Sequence, residues 1–438
     1  MTRRVLIISY YWPPTGGSGV QRWVKFSKYL PAEGWQPVIY TPLNPEAITT
    51  DESLSGEVPP EVEVVKRKIV EPYNIYRSLI SLGKKSKTAS GEVNPINSQK
   101  KTFIQKISMW IRGNLFIPDP RCTWIGPSVR FLEKYLKEHP VDVIVSTGPP
   151  HSMHLIALKL ARRTGLPWVA DFRDPWTKMF YFKHLGLNGF SQARHRKLEK
   201  KVLDNASVVV AVSPLVQEEF RQMTSTDVAL ITNGFDPCDF DIDAREDGYF
   251  NITHTGLFAA DGNPETLWKV LRDKCREDDL FKSRLRIRLA GKTDKQIIES
   301  IRNASLSENL VDCGYIPHIQ AVREQKGATL LILPLRKEPE YRATLPGKLF
   351  EYLASGRPVL GIGQKDGAMA RILDETSAGV VFDWDEELQI RTCLDAAWDE
   401  FLSNGGKVQS KAHGIEKYSR KELTKQMAAL LEGLTKEK

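Results

Sequence analysis

The chain has 438 residues, 41% hydrophobic and 26% charged, with a formal net charge of +8 at pH 7. That length suits two domains of about 200 residues with separate cores, and the composition excludes disordered, fibrous and disulfide-rich classes. No apolar run reaches the roughly 18 residues needed to cross a bilayer, Met1–Tyr10 has no leader-like cleavage site, and Cys122, Cys238, Cys275, Cys313 and Cys393 lack metal-ligand or redox spacing, so a cytoplasmic protein with reduced thiols and no bound metal is expected.

An apolar strand over about 4–9 leads into the loop Pro13–Gly19, a helical pattern over about 20–30 and a strand at about 37–41. This strand, Gly-rich turn, helix and strand open a doubly wound sheet. Residues 43–100 carry less periodic pattern, and 84–101, rich in Lys, Ser and Asn, predicts a mobile surface excursion. Residues 104–124 combine Trp110, Leu115, Phe116 and Ile117 with nearby cations, which fits an interfacial amphipathic element or a buried helix and loop; the buried arrangement is the expectation. Strands follow at about 141–146, 167–171, 207–212 and 229–232, then the tight turn Asn233–Asp236, where Gly234 is expected to supply an unusual φ, and an acidic stretch to about 248.

The series then restarts with strands at about 251–256, 285–290, 310–313, 329–333 and 359–362, helices at about 264–277 and 294–303, and a terminal amphipathic helix. Two α/β series meeting near residue 240 predict two Rossmann-like domains facing across a cleft: 1–235, 236–418 and a C-terminal helix over 419–438. Residues 1–235 carry 32 Lys and Arg against 20 Asp and Glu, a net +12, and the remainder nets −4. A basic first domain suits an anionic surface; lipid headgroups fit better than nucleic acid, because no nucleic-acid motif accompanies the charge.

Thr344–Val359 carries the strongest signal. Thr344 is placed to cap a helix, Pro346 falls in its first turn, Gly356 closes it and Arg357-Pro358 stops it. At 100° per residue, Leu349, Phe350, Leu353 and Ala354 share a packing face, and Lys348, Glu351, Tyr352 and Ser355 share the other. Bare N–H groups and a positive dipole end attract phosphate, Lys348 adds a charge, and Glu351 one turn on suits ribose hydroxyls. An amphipathic helix with a solvated Lys–Glu pair would read the same way.

Other candidates lie at strand ends, where open α/β sheets bind ligands. Gly16 and Gly17 permit positive φ and close backbone approach to a ligand, or simply a tight turn. Asp171, Arg173 and Asp174 end a buried strand; they suit sugar hydroxyls and general-base work, or a loop-fixing ion pair. His151 closes another strand-end loop as an acceptor contact or a structural residue. Gly256 and Gly291 end strands of the second series, and Tyr315 and Ile316 follow Gly314 as backbone contacts or a plain turn.

These motifs, densest at 5–30, 144–176 and 344–360, resemble family 4 glycosyltransferases, two-domain GT-B enzymes that use nucleoside-diphosphate sugars. The resemblance implies a hexosyltransferase-type enzyme acting on a glycan or lipid-linked acceptor in bacterial surface polysaccharide or glycolipid assembly, retaining configuration and needing no metal or other cofactor. It implies a donor site of Gly16, Gly17, Gly256, Gly291, Tyr315, Ile316, Thr344, Leu345, Lys348 and Glu351, with Asp174, Arg173 and His151 on the acceptor side and Asn233–Asp236 as hinge. A cytoplasmic protein, peripheral at the inner face of the membrane, follows. Two departures stand out: the family's Glu-x7-Glu has Ala343 at its first position, and no cation follows Gly256 before Lys269, leaving Arg336, Lys337 or Arg342 to substitute. A nucleotide-sugar epimerase or hydrolase, and a catalytically silent nucleotide-sugar-binding partner of an assembly complex, are the alternatives.

Overall fold

The computed structural model describes residues 3–46, 50–71, 110, 113–244 and 247–436. The expected excursion over 84–101 and most of residues 104–112 lie outside them. The described chain forms two compact units, Met1–Thr232 with Leu423–Lys438, and Asn233–Glu422.

In the first unit, strands β1 (Arg3–Ile8), β2 (Trp35–Pro42), β3 (Glu63–Arg67), β4 (Val143–Gly148), β5 (Trp168–Phe172), β6 (Val208–Ala211) and β7 (Val228–Leu230) form a sheet of order β3-β2-β1-β4-β5-β6-β7. Its pairings are parallel, with Val5 beside both Pro37 and Val143. Helices α1 (Ser18–Tyr29), α2 (Ile125–Glu138), α3 (Ser152–Thr164), α4 (Gly189–Leu203) and α5 (Pro214–Met223) connect the strands. Helices on both faces require apolar residues on both faces of the central strands, and Val5, Leu6, Ile7 and Ile8 are all fully buried. The strand order reverses between β1 and β4, so the loops after these two strands flank the switch point.

The second unit repeats the plan. Strands β8 (Phe250–Thr255), β9 (Leu285–Ala290), β10 (Leu310–Gly314), β11 (Leu330–Pro334), β12 (Val359–Ile362) and β13 (Gly379–Phe382) run in the order β10-β9-β8-β11-β12-β13. Helices α6 (Glu265–Glu277), α7 (Asp279–Arg284), α8 (Lys295–Asn303), α9 (His318–Lys326), α10 (Gly347–Ala354), α11 (Ala368–Thr376) and α12 (Glu387–Ser403) complete it. The reversal falls between β8 and β11, which brings the loop after β8 and helix α10, reached from β11, to the carboxyl end of the sheet's central strands.

The last helix, α13 (Arg420–Lys436), departs from its expected separate standing: from Leu423 onward the chain belongs to the first unit, where Leu423, Met427 and Leu431 pack with Val5, Val20 and Trp23. Gly234 is another difference, since it is not among the glycines with positive φ. The Asn233–Asp236 segment is instead tied by backbone, Phe235 N–H donating to the Tyr418 carbonyl at 3.1 Å and Arg420 N–H to the Phe235 carbonyl at 2.7 Å.

Candidate functional site

Three strand ends of the second unit are built on glycine in the left-handed region: Gly256 at φ +87°, Gly291 at +140° and Gly314 at +61°. Gly256 N–H donates to the Ala290 carbonyl and Gly291 N–H to the Gly314 carbonyl, each at 2.7 Å. A methyl on Gly291 would lie 2.3 Å from the Gly256 carbonyl oxygen, so the backbones meet closer than any side chain allows. Tyr315, at 83% exposure, and half-buried Ile316 follow this edge.

Helix α10 begins two residues later than its sequence suggests. Pro346 is the N-cap, and Thr344 makes no cap: it is extended and its N–H donates to the Tyr341 carbonyl, ending the turn Pro339–Ala343. Leu349 N–H returns to the Pro346 carbonyl, leaving the Gly347 and Lys348 amides at the helix start without a partner among the described residues. Leu349, Phe350 and Leu353 are buried as expected, each contributing about 1.5–3 kcal/mol by transfer from water. Leu345 is buried beside them, and Gly356 closes the helix at φ +68°. Tyr352 and Ser355, expected on the open face, are buried: the Thr255 N–H donates to Tyr352 Oη at 2.9 Å, and Ser355 Oγ donates to the Tyr352 carbonyl at 2.7 Å. The open face therefore presents Lys348 and Glu351, without the hydroxyls.

Lys348 Nζ donates to the Leu257 carbonyl at 3.0 Å and to His254 Nε2 at 3.1 Å. His254 Nδ1 donates to the Ile332 carbonyl at 3.0 Å, which assigns the proton to Nδ1 and leaves Nε2 an acceptor. Burial and the Lys348 charge hold His254 well below the ordinary histidine pKa, so it is neutral at pH 7. Burial also lowers Lys348, from 10.5 to about 8, against the pull of Glu351. Glu351 Oε2 accepts from Gln325 Nε2 at 2.9 Å and Oε1 from His318 Nε2 at 3.3 Å. Burial raises this carboxyl, but those two hydrogen bonds and the Lys348 charge outweigh it and hold it below the usual range. Gln325, fully buried, also donates to Thr255 Oγ1 at 3.0 Å, linking Glu351 to the end of β8.

Two of the three cations considered as substitutes for the family pair are engaged elsewhere. Arg336 pairs with Asp261 at 2.9 Å and Arg342 with Asp366 at 2.8 Å. Lys337 is exposed.

In the first unit, Gly17 is the N-cap of α1 at φ +102°, while Gly16 does not adopt positive φ. Asp171 is not available to a ligand. It is fully buried in an ion pair with Arg22 at 2.9 Å and accepts from Trp23 Nε1 and Thr147 Oγ1 at 2.8 Å each. Arg22 continues to the Thr232 and Ile231 carbonyls at 2.6 and 2.9 Å, so the pair is satisfied on both sides. Arg173 forms neither the expected ion pair nor an open contact: its guanidinium donates to the Gly19 and Pro149 carbonyls and clasps the glycine loop to the loop after β4. His151 is buried and stacked on Trp176 with ring centroids 4.5 Å apart, and neither ring nitrogen has a partner among the described residues. Burial, with His154, His195 and Arg173 nearby, holds it neutral. Asp174 is different. It is half-buried and makes no ion pair among the described residues, and burial lifts its pKa from 3.8 to about 6 despite Arg173.

Sequence reasoning missed His254 and Gln325, the residues that hold Lys348 and Glu351, and Arg22, Trp23 and Thr147, which hold Asp171. Among the described residues no cluster of His, Cys, Asp and Glu is placed to hold a metal ion, and no helix is long and apolar enough to cross a membrane.

Two Rossmann-like units with this strand order define the GT-B class, as comparison with solved structures shows. A glycosyltransferase from Rickettsia africae aligns over 100% of both chains at 13% identity with a TM-score of 0.62. WaaG, a glycosyltransferase involved in lipopolysaccharide biosynthesis, aligns over 98% of this chain and 100% of its own at 14% identity, TM-score 0.57. Anabaena HepE in complex with UDP aligns over 99% and 98% at 12% identity, TM-score 0.57. Residues 106–238 match the family described as Glycosyltransferase Family 4. Sequence comparison with curated proteins finds no match.

Proposed function

We propose that the protein transfers a sugar, of hexose type, from a nucleoside diphosphate to a glycan or lipid-linked acceptor, with retention and without a metal, in surface polysaccharide or glycolipid assembly. The observation that carries this reading is the start of α10: two bare amides, a tethered ammonium and a carboxylate one turn on, at the carboxyl end of the central strands of a Rossmann-like sheet. The amides of Gly347 and Lys348 and the Lys348 ammonium stabilise charge on the departing diphosphate, a task that protein donors perform without a metal. Glu351, held as an acceptor by Gln325 and His318, takes the ribose hydroxyls. Gly256 and Gly291 let the diphosphate approach the backbone, and Tyr315 and Ile316 border the base.

On the acceptor side, Asp174, whose carboxyl ionises near neutral pH, accepts a hydrogen bond from the attacking hydroxyl and orients it, while the departing diphosphate oxygen takes that hydroxyl's proton, the front-face route that retention requires. Arg173 and His151 shape that side by holding the strand-end loops. The UDP bound to HepE, a protein of the same fold, supports a nucleotide donor. Incubating the protein with radiolabelled sugar nucleotides, with and without lipid extract, tests the reading. Label appearing in a lipid or glycan product supports transfer; free sugar or an epimer formed equally without acceptor contradicts it.

A further inference from the structure

Outside the donor site the first unit exposes Trp110 and Leu115, so the expectation of a buried element over 104–124 holds for Ile117 and Trp124 and fails for those two. The second unit carries a more defined feature, a hollow of about 370 Å³ whose lining is polar almost throughout.

One wall is a side of α8. In Lys-Gln-Ile-Ile-Glu-Ser-Ile-Arg-Asn, Ile297 and Ile301 are buried in the core, which turns Gln296, Glu299, Ser300 and Asn303, at helical spacing, to the hollow. None of these four side chains makes a hydrogen bond or ion pair with a described residue. The facing wall is the loop after β8. Asn263 Oδ1 accepts from Trp268 Nε1 at 2.8 Å, which fixes the amide and leaves Nδ2 3.4 Å from Glu265 Oε1. Asp261 pairs through Oδ2 with Arg336 at 2.9 Å, while its Oδ1 is shielded and has no hydrogen-bond partner among the described residues. A shielded acceptor of this kind calls for a donor. A methyl on Gly262 would lie 3.2 Å from the Leu335 carbonyl oxygen, so the loops after β8 and β11 touch here, which brings Lys337 to the rim.

The hollow is separate from the α10 site. Strands β8, β9 and β10 step one way across the sheet, and β11, β12 and β13 step the other. With right-handed crossovers, α6 and α8 lie on one face and α10 on the opposite one.

The lining selects the ligand. Asp261, Glu265 and Glu299 against Lys337 alone disfavour phosphate and acidic groups. No aromatic ring is there to stack a nucleobase, and no apolar wall is there for a lipid chain. No group of His, Cys, Asp and Glu among the described residues is placed to hold a metal ion. Carboxylates, amides and a hydroxyl set closely together suit sugar hydroxyls, each of which donates to one group and accepts from the next. We propose that this hollow is a second saccharide site, which binds a neutral glycan chain. Saccharide binding stands on these residues alone. Its use, keeping the acceptor or product glycan on the protein through an added contact, rests on the transfer reading above.

Full-length protein is titrated with maltotetraose, cellotetraose, chitotetraose and, as the acidic counterpart, tetragalacturonate. Saturation-transfer spectroscopy of the ligand protons and calorimetry read the binding. The expected result is binding of at least one neutral sugar, weaker binding of the acidic one, and no displacement by saturating UDP, GDP or ADP. Glu299→Ala with Asn303→Ala, both exposed helix positions, lowers that affinity about tenfold or more while leaving the melting temperature and nucleoside-diphosphate binding unchanged. Failure of all three neutral sugars to bind, wild-type affinity in the variant, displacement by a nucleoside diphosphate, or tighter binding of the acidic sugar overturns the proposal. Nucleotide binding and sugar transfer are read separately, so loss of the donor reading and loss of the second site are told apart.

Discussion

Lys348 and His254 form a pair, the lysine ammonium donating to the imidazole Nε2 at 3.1 Å while the Leu257 carbonyl takes a second hydrogen bond at 3.0 Å. The resemblance leads one to expect a cation pair after Gly256, and none stands there before Lys269. Here one cation reaches the same strand end from α10, and a neutral imidazole and a carbonyl hold it there.

That arrangement makes binding sensitive to pH. Lys348 titrates at about 8 in the folded protein, because burial disfavours its charge. A diphosphate binds the protonated form better, so affinity is full below that value and falls as pH rises through it. Calorimetric titration with UDP, GDP and ADP between pH 6.5 and pH 9.5 is expected to show this slope for whichever nucleotide binds, and Lys348→Met is expected to flatten it. The same shift makes folding stability rise between about pH 8 and the ordinary lysine range near 10.4, where the unfolded chain alone holds the proton.

Glu351→Gln keeps the shape of the side chain but replaces a charged acceptor with an amide. The change is expected to weaken nucleoside-diphosphate affinity by roughly tenfold, the order of a charge-assisted hydrogen bond, with little change in melting temperature. Deoxyribonucleotides then bind wild type and variant alike, a comparison that isolates the hydroxyl contact.

The sheets, and the helix that carries Lys348, are legible in the chain because burial on both faces forces continuous apolar runs such as Val5–Ile8 and Leu330–Leu333. Strands β3 and β13 escape that reading: both are sheet edges, β3 reads Glu-Val-Val-Lys-Arg with its residues half-buried or exposed, and β13 has four residues. Lys348 and Glu351 stand out by helical spacing, but their holders do not. His254 lies 94 residues from Lys348 and Gln325 lies 26 from Glu351, and only the meeting of β8, α9 and α10 brings them together. Tyr352 misleads because a tyrosine at a polar position suggests solvent, whereas its hydroxyl serves a backbone N–H at the end of β8.

Asp171 and Asp174, three residues apart, are expected to respond oppositely. Asp171→Ala leaves Arg22 buried without its carboxylate and costs about 3–5 kcal/mol, read by chemical denaturation. Asp174→Asn lowers transfer while stabilising the fold at pH 7. Its folded pKa of about 6 lies above 3.8, so the native state loses stability as pH rises between those values, and an amide escapes that loss. Melting curves at pH 3.5 and pH 7 check the sign, the gain being confined to the higher pH.

Gly291→Ala introduces a methyl 2.3 Å from the Gly256 carbonyl at φ +140°. A loss of about 1–3 kcal/mol or more is expected, together with loss of nucleotide binding, since the β8 and β9 ends must separate. Gly433→Ala, on an open site of α13, is the control and is expected to leave both unchanged or slightly improved.

The most direct measurement is a crystal of the protein grown with the nucleoside diphosphate that stabilises it best in a thermal-shift panel. The account predicts diphosphate density on the Gly347 and Lys348 amides and Lys348 Nζ, with the pentose hydroxyls on Glu351. Density elsewhere in the second unit, with Lys348 still turned to His254 and Glu351 still closed by Gln325 and His318, would contradict it.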